Sequence, residues 1–525
     1  MPRLVERNTI VKDWRKVPVK IALVYPGGYR AGMTGLTIQL LYHLFNIRDD
    51  CLCERVFIDG SKPPRSIESG RTLEKFDVVA ATISYEEGYV EFLKGLMDSG
   101  IPLRRVDRDD RHPLILAGGI VPTSNPTVLE DYIDVFTIGD AEPIVNQLVK
   151  AYMEHRNKSG RLEALSSMTG FYVPSFSEGL VERVYASKLE DDLYPTAQVI
   201  PLVDESDSLC PVFGLTFNLE ATRGCGRMCR FCIASWINMP VRHRSYESMV
   251  GLIEDGLKRT GVNKVSLIGA GISDNKWLKD VCAYLTSKGV SFSTPSIRMD
   301  LIDGELMKLI VQGGQRTLTL APESASEYVR NLIGKPIPDD RILEVAENAY
   351  ECGFKRLKLY FMLGLPGEDR ECLESIGRLT EAFARMGFNQ IHISINPLIP
   401  KPQTPFQWLP LASRKYLEEA FKVVRSSMPR APVSVEMLNP AEAELQALLS
   451  LGDRSVGRVV EYMAVHGMMN VRGASRAVGV DIDGIVYKAR GLDSPLPWDR
   501  IRSADFKALR EHYYAFEREL NRQLR

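Results

Sequence analysis

The sequence lacks the features that would direct the protein to a membrane or, as a whole, to nucleic acid. Its 66 basic and 67 acidic residues nearly cancel, which leaves a formal net charge of -1 and no overall attraction to a polyanion. No apolar run reaches the length needed to span a bilayer. The first residues are charged rather than apolar, so we expect no signal peptide, no membrane partner and a cytoplasmic protein.

The sequence also lacks a second pair of closely spaced cysteines. Cys225, Cys229 and Cys232 form a C-x3-C-x2-C pattern, while the other cysteines are scattered along the chain. A structural zinc site normally uses four ligands in two close pairs, and disulfides require an oxidising compartment, of which the sequence gives no sign. Three thiolates on one short loop favour an iron–sulfur cluster, with one iron left open to a ligand that is not protein.

The loop around these cysteines resembles the cluster loop of the radical S-adenosylmethionine (SAM) enzymes. The apolar stretch 214–220 precedes it, and the aromatic Phe231 stands beside the last cysteine, as in that family. The resemblance implies a [4Fe-4S] cluster on the three cysteines, with SAM bound at the open iron and Phe231 in contact with it. It also implies an electron donor such as ferredoxin or flavodoxin, and a reaction in which a hydrogen atom is removed from the substrate.

The chain before this loop alternates strands and helices. Short apolar runs at 19–25, 77–83, 113–117 and 135–138 suit buried parallel strands, and 36–45 predicts a helix with one apolar face. Ligands of such sheets bind beyond the carboxyl ends of the strands. Those ends carry Gly27, Gly28, Ser84, Tyr85, Gly118, Gly119, Gly139 and Glu142. A dinucleotide site is disfavoured, because the first loop has no G-x-G-x-x-G pattern.

An α/β domain placed before a three-cysteine loop resembles the cobalamin-binding domain of B12-dependent radical SAM proteins. The loops at 117–120 and 139–142 match that family, and the resemblance implies that the eight strand-end residues contact cobalamin. One departure is that Tyr29, Arg30 and Met33 occupy the loop in which the family's Asp-x-His-x-x-Gly motif supplies a histidine. We therefore expect no histidine ligand to cobalt from this loop. The alternative is a related fold that no longer binds cobalamin, since strand-end glycines also serve packing alone.

From about residue 211 the alternation of strands and helices resumes. Strands predicted at 264–268, 290–294, 317–321, 356–362 and 390–396, with helices between them, indicate a βα barrel or part-barrel, with its site at the carboxyl ends of the strands. The resemblance to radical SAM enzymes implies that residues at these ends contact SAM, namely Gly269, Gly271, Ser296, Arg298, Glu323 and Leu363. Taken singly, Arg298 also fits a surface charge and Glu323 a carboxylate at a helix N-terminus.

Two segments near the end of the chain have alternative interpretations. The proline-rich stretch 397–410 fits either a structural strap over the barrel mouth or a wall of the substrate channel. The charged helix that ends the chain fits a solvated face.

The sequence therefore predicts an α/β protein of three parts. Residues 1–200 form a Rossmann-like (flavodoxin-like) domain of the cobalamin-binding type. Residues 201–430 form a radical SAM core barrel (a partial TIM barrel of βα repeats). Residues 431–525 form a small, mainly helical region that we associate with the substrate.

The resemblance implies a cobalamin-dependent C-methyltransferase that acts on an unactivated sp3 carbon of an unidentified substrate. A protein or peptide is a candidate, for example a glutamine or another residue of methyl-coenzyme M reductase. The alternative is another hydrogen-abstraction reaction without methyl transfer. A methylthiotransferase is disfavoured because Cys51-Leu-Cys53 is one cysteine short of a second cluster, and a cobalamin or SAM sensor because sensing needs no reducible cluster. The sequence singles out no catalytic side chain beyond these cofactor-binding residues.

Overall fold

The N-terminal part of the chain forms a parallel sheet covered by helices. The computed structural model describes residues 4–295, 297–430, 432–467 and 470–523. Its first elements are β1 Glu6–Arg7, β2 Val19–Tyr25, α1 Tyr29–Gly32, α2 Leu36–Asn46, β3 Cys51–Phe57, β4 Val78–Thr82, α3 Gly88–Asp98, β5 Leu114–Gly118, α4 Ile120–Ser124, β6 Val135–Thr137, α5 Ala141–Glu154, α6 Lys158–Ser166, β7 Phe171–Tyr172, β8 Val181–Glu182 and β9 Ile200–Pro201.

The order of strands in this sheet is β3-β2-β4-β5-β6-β7, and only β7 runs antiparallel to its neighbour. Strand β3 is added on one side of β2, and the later strands are added on the other side, as in the flavodoxin-like order. The direction of strand addition changes between β2 and β4, and a ligand cleft is expected at the carboxyl ends of these two strands. The four predicted strands are present with ends shifted by no more than one residue. Buried apolar residues of α2 and α5 pack on one face of the sheet.

Strand β3 was not predicted from the sequence. Its residues are all buried, yet the run Cys-Leu-Cys-Glu-Arg-Val-Phe contains two charges and does not read as an apolar strand. Arg55 is fully buried there and pairs with Glu6 at 2.6 Å and with Glu68 at 2.8 Å, so its charge is neutralised by residues distant in the sequence. Burial also raises the pKa of Cys51 to about 12, which is typical of an inert structural thiol.

The middle of the chain forms the parallel strands and outer helices of a part-barrel. Its elements are β10 Phe217–Glu220, β11 Thr222–Arg223, α7 Ile233–Ile237, β12 Arg242–His243, α8 Tyr246–Thr260, β13 Lys264–Ile268, α9 Leu278–Ser287, β14 Ser291–Ser293, α10 Gly304–Gln312, β15 Thr317–Glu323, α11 Glu327–Leu332, α12 Asp339–Cys352, β16 Arg356–Leu363, α13 Arg370–Arg385, β17 Gln390–Pro397, α14 Arg414–Ser427 and β18 Val433–Met437.

The barrel strands form two parallel sheets whose strands follow chain order, β10-β13-β14 and β15-β16-β17-β18. The five strands predicted after residue 260 are all present. Strand β18 lies beyond the predicted boundary at residue 430, so the barrel sheet continues further along the chain, to Met437. It is a short strand at the sheet edge, Val-Ser-Val-Glu-Met, and none of its residues is buried, which explains why it was missed.

The last elements are α15 Pro440–Leu451, α16 Gly457–His466, α17 Val471–Val478, α18 Ile482–Val486, β19 Ile501–Arg502 and α19 Phe506–Gln523. Helix α16 packs against α3 of the N-terminal part, and the two share a hydrophobic core. No helix in the described parts of the chain combines the length and apolarity needed to cross a membrane.

A buried polar contact joins all three parts of the chain. The ammonium group of Lys401, which follows β17, lies 2.5 Å from the carboxylate of Glu86, which follows β4, and Ser450 of α15 donates to the same carboxylate at 2.7 Å. Within the proline-rich stretch, Phe406 and Trp408 are fully buried in a core shared with α19. This stretch is therefore packed as a structural strap along its second half.

Candidate active site

The three cysteines lie on residues 221–232, the cluster loop, which leaves the carboxyl end of β10. Cys225 and Cys229 are buried, Cys232 is partly exposed, and all three are free thiols. Met228 adopts a left-handed conformation with φ 54°, which turns the chain sharply between these ligands. The indole N–H of Trp236 in α7 donates to the carbonyl of Cys229 at 2.9 Å. The loop is thus held by the first helix that follows it.

The three thiols share one cavity of about 270 Å³ with residues from the carboxyl ends of the barrel strands. Three further predicted SAM contacts line it, namely Phe231, Arg298 and Glu323. We call this space the cluster cavity. No group of three or more histidine, cysteine, aspartate or glutamate side chains in the described parts of the chain forms a preassembled metal cage. The cysteines therefore offer three sulfur ligands from one cavity wall rather than a closed site.

The charged side chains that line the cluster cavity are two cations, Arg298 and Lys335, and two carboxylates, Asp300 and Glu323. The guanidinium of Arg298 lies 4.0 Å from the sulfur of Cys229 and pairs with Asp300 at 2.9 Å. Burial raises the pKa of the Cys229 thiol to about 11, while Lys335 and Arg298 oppose this rise. Thiols must lose their protons to bind a metal, and nearby cations stabilise the thiolate. The residues present therefore fit an iron–sulfur cluster held by three thiolates.

Glu323 reaches the cluster cavity through a strained backbone conformation. Its φ is 67°, which is uncommon for a residue with a side chain, and the pairing of β15 with β16 becomes irregular between Leu320 and Glu323. Its carboxylate lies 2.8 Å from the ammonium group of Lys335, and the two side chains are only 13% and 11% exposed. Glu323 ends β15, and α11 begins only at Glu327 with Ser326 as its N-cap, so Glu323 is not a carboxylate at a helix N-terminus. Arg298, whose side chain is 14% exposed, is not a surface charge.

Gly269 and Gly271 lie on the turn after β13, which packs against the cluster loop. A Cβ atom at Gly269 would lie 2.6 Å from the carbonyl oxygen of Thr222, and one at Gly271 would lie 3.0 Å from that of Gly224. Glycine at position 269 is therefore required for the turn and the loop to approach each other, and a side chain at position 271 would crowd the loop backbone. Ala270, between the two glycines, lines the cluster cavity. Direct contact of Gly269 and Gly271 with SAM stays a prediction.

The remaining predicted SAM residues are placed differently. Leu363 is fully buried in the hydrophobic core of the barrel and is not among the residues that line the cluster cavity. Ser296 lies outside the described residues. Close to Leu363, burial raises the pKa of Glu368 to about 7, and its carboxylate accepts hydrogen bonds from the Tyr416 hydroxyl at 2.7 Å and the Gly364 N–H at 2.9 Å.

A second cavity, of about 370 Å³, opens at the carboxyl edge of the N-terminal sheet. Four of the eight predicted cobalamin contacts line this N-terminal cavity, namely Gly118, Gly119, Gly139 and Glu142. The other four, Gly27, Gly28, Ser84 and Tyr85, belong to the loops after β2 and β4 and are not among its lining residues. Most of the wall is aliphatic and comes from α2, α5 and the central strands, so the cavity suits an apolar or heteroaromatic group.

Two glycines at the rim of the N-terminal cavity are required by the backbone. Gly119 has φ 107°, and a Cβ atom there would lie 2.5 Å from the carbonyl oxygen of Ile83. Gly139 has φ 128°, and a Cβ atom there would overlap the carbonyl oxygen of Val184. Other residues would be strained in both positions. These contacts support a packing role for both glycines, which is compatible with their lying beside a ligand.

The two cavities are separated by one charged partition. Arg223 pairs with Glu142 at 2.8 Å, with Glu220 at 2.8 Å and with Asp140 at 3.3 Å. Arg223 and Ile268 line the N-terminal cavity, while Cys225 and Ala270, two residues further along the same segments, line the cluster cavity. Two residues span at most about 7 Å of chain, so the cavities adjoin each other.

Several lining residues were not predicted from the sequence. Thr319 and Tyr360 line the cluster cavity from β15 and β16, where alternate residues are buried, so strand periodicity could have identified them. Lys335 lies in the loop after α11, and Arg223 lies between β10 and the cysteines. These two carry no periodic signal, because their partners come from other segments of the chain.

Comparison with known proteins relates the chain to one group. The family model for the N-terminal part of radical SAM proteins matches residues 37–174, and the model for the radical SAM superfamily matches residues 219–380. An uncharacterised protein of Methanocaldococcus jannaschii is 30% identical over 450 residues, which cover 85% of this chain and 92% of that protein. An uncharacterised methyltransferase of Pyrococcus horikoshii is 24% identical over 371 residues, covering 68% of this chain and 76% of that protein.

Among solved structures, the radical S-adenosylmethionine methyltransferase TsrM from Kitasatospora setae, with cobalamin and a [4Fe-4S] cluster bound, has a similar fold. The TM-score is 0.54 at 13% sequence identity, and the match covers 88% of this chain and all of that chain.

Proposed function

Because the chain belongs to the radical SAM superfamily, we propose that it is a cobalamin-dependent radical SAM methyltransferase that acts on an unactivated sp3 carbon. The observation that carries this proposal is the pair of adjoining cavities, one in the α/β domain and one at the cysteines. Methylation of such a carbon requires a hydrogen-abstracting site and a methyl donor within reach of one substrate. Two adjacent sites in one chain satisfy that requirement.

The residues of the cluster cavity have separate proposed roles. Cys225, Cys229 and Cys232 would hold the cluster, while Arg298 and Glu323 would position SAM by charge and hydrogen bonding. When bound, the cluster and SAM supply hydrogen-atom abstraction and cobalamin supplies a transferable methyl group. The buried walls of both cavities would exclude water from the reacting groups. We expect reduction by a donor such as ferredoxin or flavodoxin.

The N-terminal cavity is the proposed site for part of the cobalamin molecule. Its aliphatic walls and glycine rim fit a heteroaromatic group that enters from the edge of the sheet. The segment between β2 and α2 contains no histidine, so cobalt would receive no histidine ligand from it. The similarity to TsrM shows the fold, and the cobalamin bound to that protein supports the same cofactor here as a proposal.

The substrate is the finer part of the proposal. The resemblance of the sequence to B12-dependent radical SAM proteins favours a carbon of a protein or peptide, with a glutamine of methyl-coenzyme M reductase as one candidate. The name of the Pyrococcus horikoshii relative supports methyl transfer in this group without specifying a substrate.

The proposed function is tested by anaerobic reconstitution with iron, sulfide and hydroxocobalamin, followed by turnover with methyl-deuterated SAM and candidate peptides. We expect about four irons and one corrinoid per chain, and products that include 5′-deoxyadenosine, S-adenosylhomocysteine and a deuterated peptide. If 5′-deoxyadenosine forms with substrate but no deuterium enters the product, the methyltransferase is refuted in favour of another hydrogen-abstraction reaction. If no corrinoid binds, the cobalamin part fails.

A further inference from the structure

The last helix of the chain, α19, lies against the cluster loop and its neighbours through one face. His512 packs edge-on against Trp236 of α7 with ring centroids 4.8 Å apart, and Phe516 packs against Phe406 of the strap at 5.1 Å. Glu519 pairs with Arg230 of the cluster loop. The three helix residues follow the i, i+4, i+7 spacing of a single helical face. This face of α19 is therefore packed against the protein, while Glu511, Arg518 and Arg522 are exposed, as predicted for a solvated charged face.

The partner of Glu519 is Arg230, which stands between two cluster cysteines in the sequence. Its two terminal nitrogens lie 2.6 Å and 3.1 Å from the two carboxylate oxygens of Glu519, a bidentate arrangement. The Arg230 side chain is 8% exposed and that of Glu519 is 43% exposed. Helix α19 therefore neutralises a nearly buried charge that the cluster loop carries.

Arg230 is also the point at which the cluster loop is tied to the rest of the protein. Its side chain donates to the carbonyl of Leu332 at 2.7 Å, its backbone N–H donates to that of Ile333 at 2.9 Å, and its own carbonyl accepts from the N–H of Phe406 at 3.3 Å. The backbone at residue 230 sets the direction of the adjacent Cys229 and of Cys232, two residues further on. A displaced Arg230 would displace both sulfur ligands.

Arg230 points to α19 rather than into the cluster cavity. Arg230 is not among the residues that line the cavity, so its charge is directed away from the thiols and toward α19. Without Glu519, a nearly buried guanidinium would lack its carboxylate, which is costly at a site that is 8% exposed. The loop segment that carries Arg230 would then shift to expose or re-pair this charge, and the adjacent cysteines would shift with it.

We propose that α19 acts as a clasp on the cluster loop, with Glu519 as a positioning residue that acts through Arg230 to hold Cys229 and Cys232 for cluster binding. This inference rests on the proposed function only in that the loop binds a cluster; it does not depend on cobalamin or methyl transfer. The clasp thus ties the cluster loop to a helix that is distant in sequence, since Arg230 and Glu519 are 289 positions apart.

The test compares the full chain with Glu519→Gln, Glu519→Asp and the control Glu511→Gln. Glu511 lies on the same helix, is 64% exposed and pairs with Lys507, so its replacement removes the same charge without affecting the loop. Each protein is reconstituted anaerobically, and iron, sulfide, the electron paramagnetic resonance spectrum of the reduced cluster and the rate of bleaching in air are measured. Circular dichroism reports folding.

We expect Glu519→Gln to bleach about five- to tenfold faster than the unchanged protein, the effect of one lost charge-assisted pair at a partly exposed site, and to show an altered spectrum. Glu519→Asp should recover part of the difference, and Glu511→Gln should match the unchanged protein. Iron content, spectrum and bleaching of Glu519→Gln equal to those of the control would overturn the proposal.

A second variant decides the case in which Glu519→Gln does not fold. Glu519→Asp keeps the carboxylate on a shorter side chain, so it should fold and should bleach faster than the unchanged protein. Bleaching of Glu519→Asp equal to that of Glu511→Gln would then overturn the clasp. An unchanged protein that binds no iron would overturn both the clasp and the proposed function. An unchanged protein that binds iron but transfers no methyl group would refute the methyltransferase alone.

Discussion

Replacing Lys335 by methionine removes the cation that faces Glu323 in the cluster cavity. The two groups are 2.8 Å apart, and both side chains are almost nine-tenths buried. Methionine keeps most of the apolar stem of lysine, so the substitution mainly deletes charge. The carboxylate of Glu323 is then left nearly buried and unpaired, on a backbone that is already strained at φ 67°.

The size of the effect follows from the burial of the pair. Breaking a fully buried ion pair by removing one partner costs about 3–5 kcal/mol, because an uncompensated charge stays behind. Each side chain keeps slightly more than a tenth of its exposure, so we expect about 2–3 kcal/mol for Lys335→Met. In a domain the size of the barrel this corresponds to a decrease in melting temperature of roughly 5–8 °C.

The assay is thermal unfolding followed by circular dichroism for Lys335→Met, for the double variant with Glu323→Gln, and for the control Lys415→Met. Lys415 pairs with Glu419 at 4.0 Å on an exposed face, so its loss should change the melting temperature by less than about 1 °C. The double variant should regain most of the stability, since the remaining amide is neutral. Equal melting temperatures of the Lys335→Met single and double variants would refute the reasoning.

Three further outcomes are expected. Alanine at all three cluster cysteines should reduce iron to below about one per chain after reconstitution, while the circular dichroism spectrum stays native. The control Cys372→Ala should retain about four irons per chain, and equal iron contents of the two proteins would contradict the ligand assignment. Gly139→Ala should weaken corrinoid binding about tenfold by displacing the loop at Val184, whereas Gly289→Ala, which also has a positive φ but open space around it, should not; absorbance titration with hydroxocobalamin distinguishes them. Burial raises the pKa of the Glu368 carboxyl from 4.5 to about 7. Between these two values the folded chain keeps a proton that the unfolded chain releases, so the free energy of unfolding decreases as the pH rises through 7. Glu368→Gln should therefore match the unchanged protein near about pH 5 and be roughly 2 kcal/mol more stable near about pH 8 by urea unfolding, and a gain that is the same at both would count against a raised pKa.

Much of the fold could be predicted from the sequence because it is encoded in local patterns. Short apolar runs identified the central strands of the N-terminal sheet, since strands buried on both faces show such runs. Alternation of apolar and polar residues identified β15, β16 and β17 of the barrel. Strand β3 was missed because it contains Arg55, whose charge is neutralised by Glu6 and Glu68, and β18 because it is a short edge strand without a buried residue.

Some features of the candidate site could be predicted from the sequence and others could not. The spacing of the three cysteines and the strand-end position of Glu323 were readable from the sequence, because a loop after a parallel strand must lie at the carboxyl edge of its sheet. The sequence could not show that Lys335 faces Glu323, or that Leu363 is packed inside the barrel core. Both depend on how loops and side chains fill the space between strands.

What the sequence by itself determined is the chemistry of the cluster loop and the alternation of strands and helices around it, since both depend on residues close together in the chain. Only the tertiary structure decided that two cavities adjoin at Arg223, and that Glu519 reaches Arg230 across 289 positions. Contacts of this kind leave no local pattern, because an ion pair requires only that two charges meet in space. Their partners are chosen by the packing of whole elements, and that packing is absent until the chain has folded.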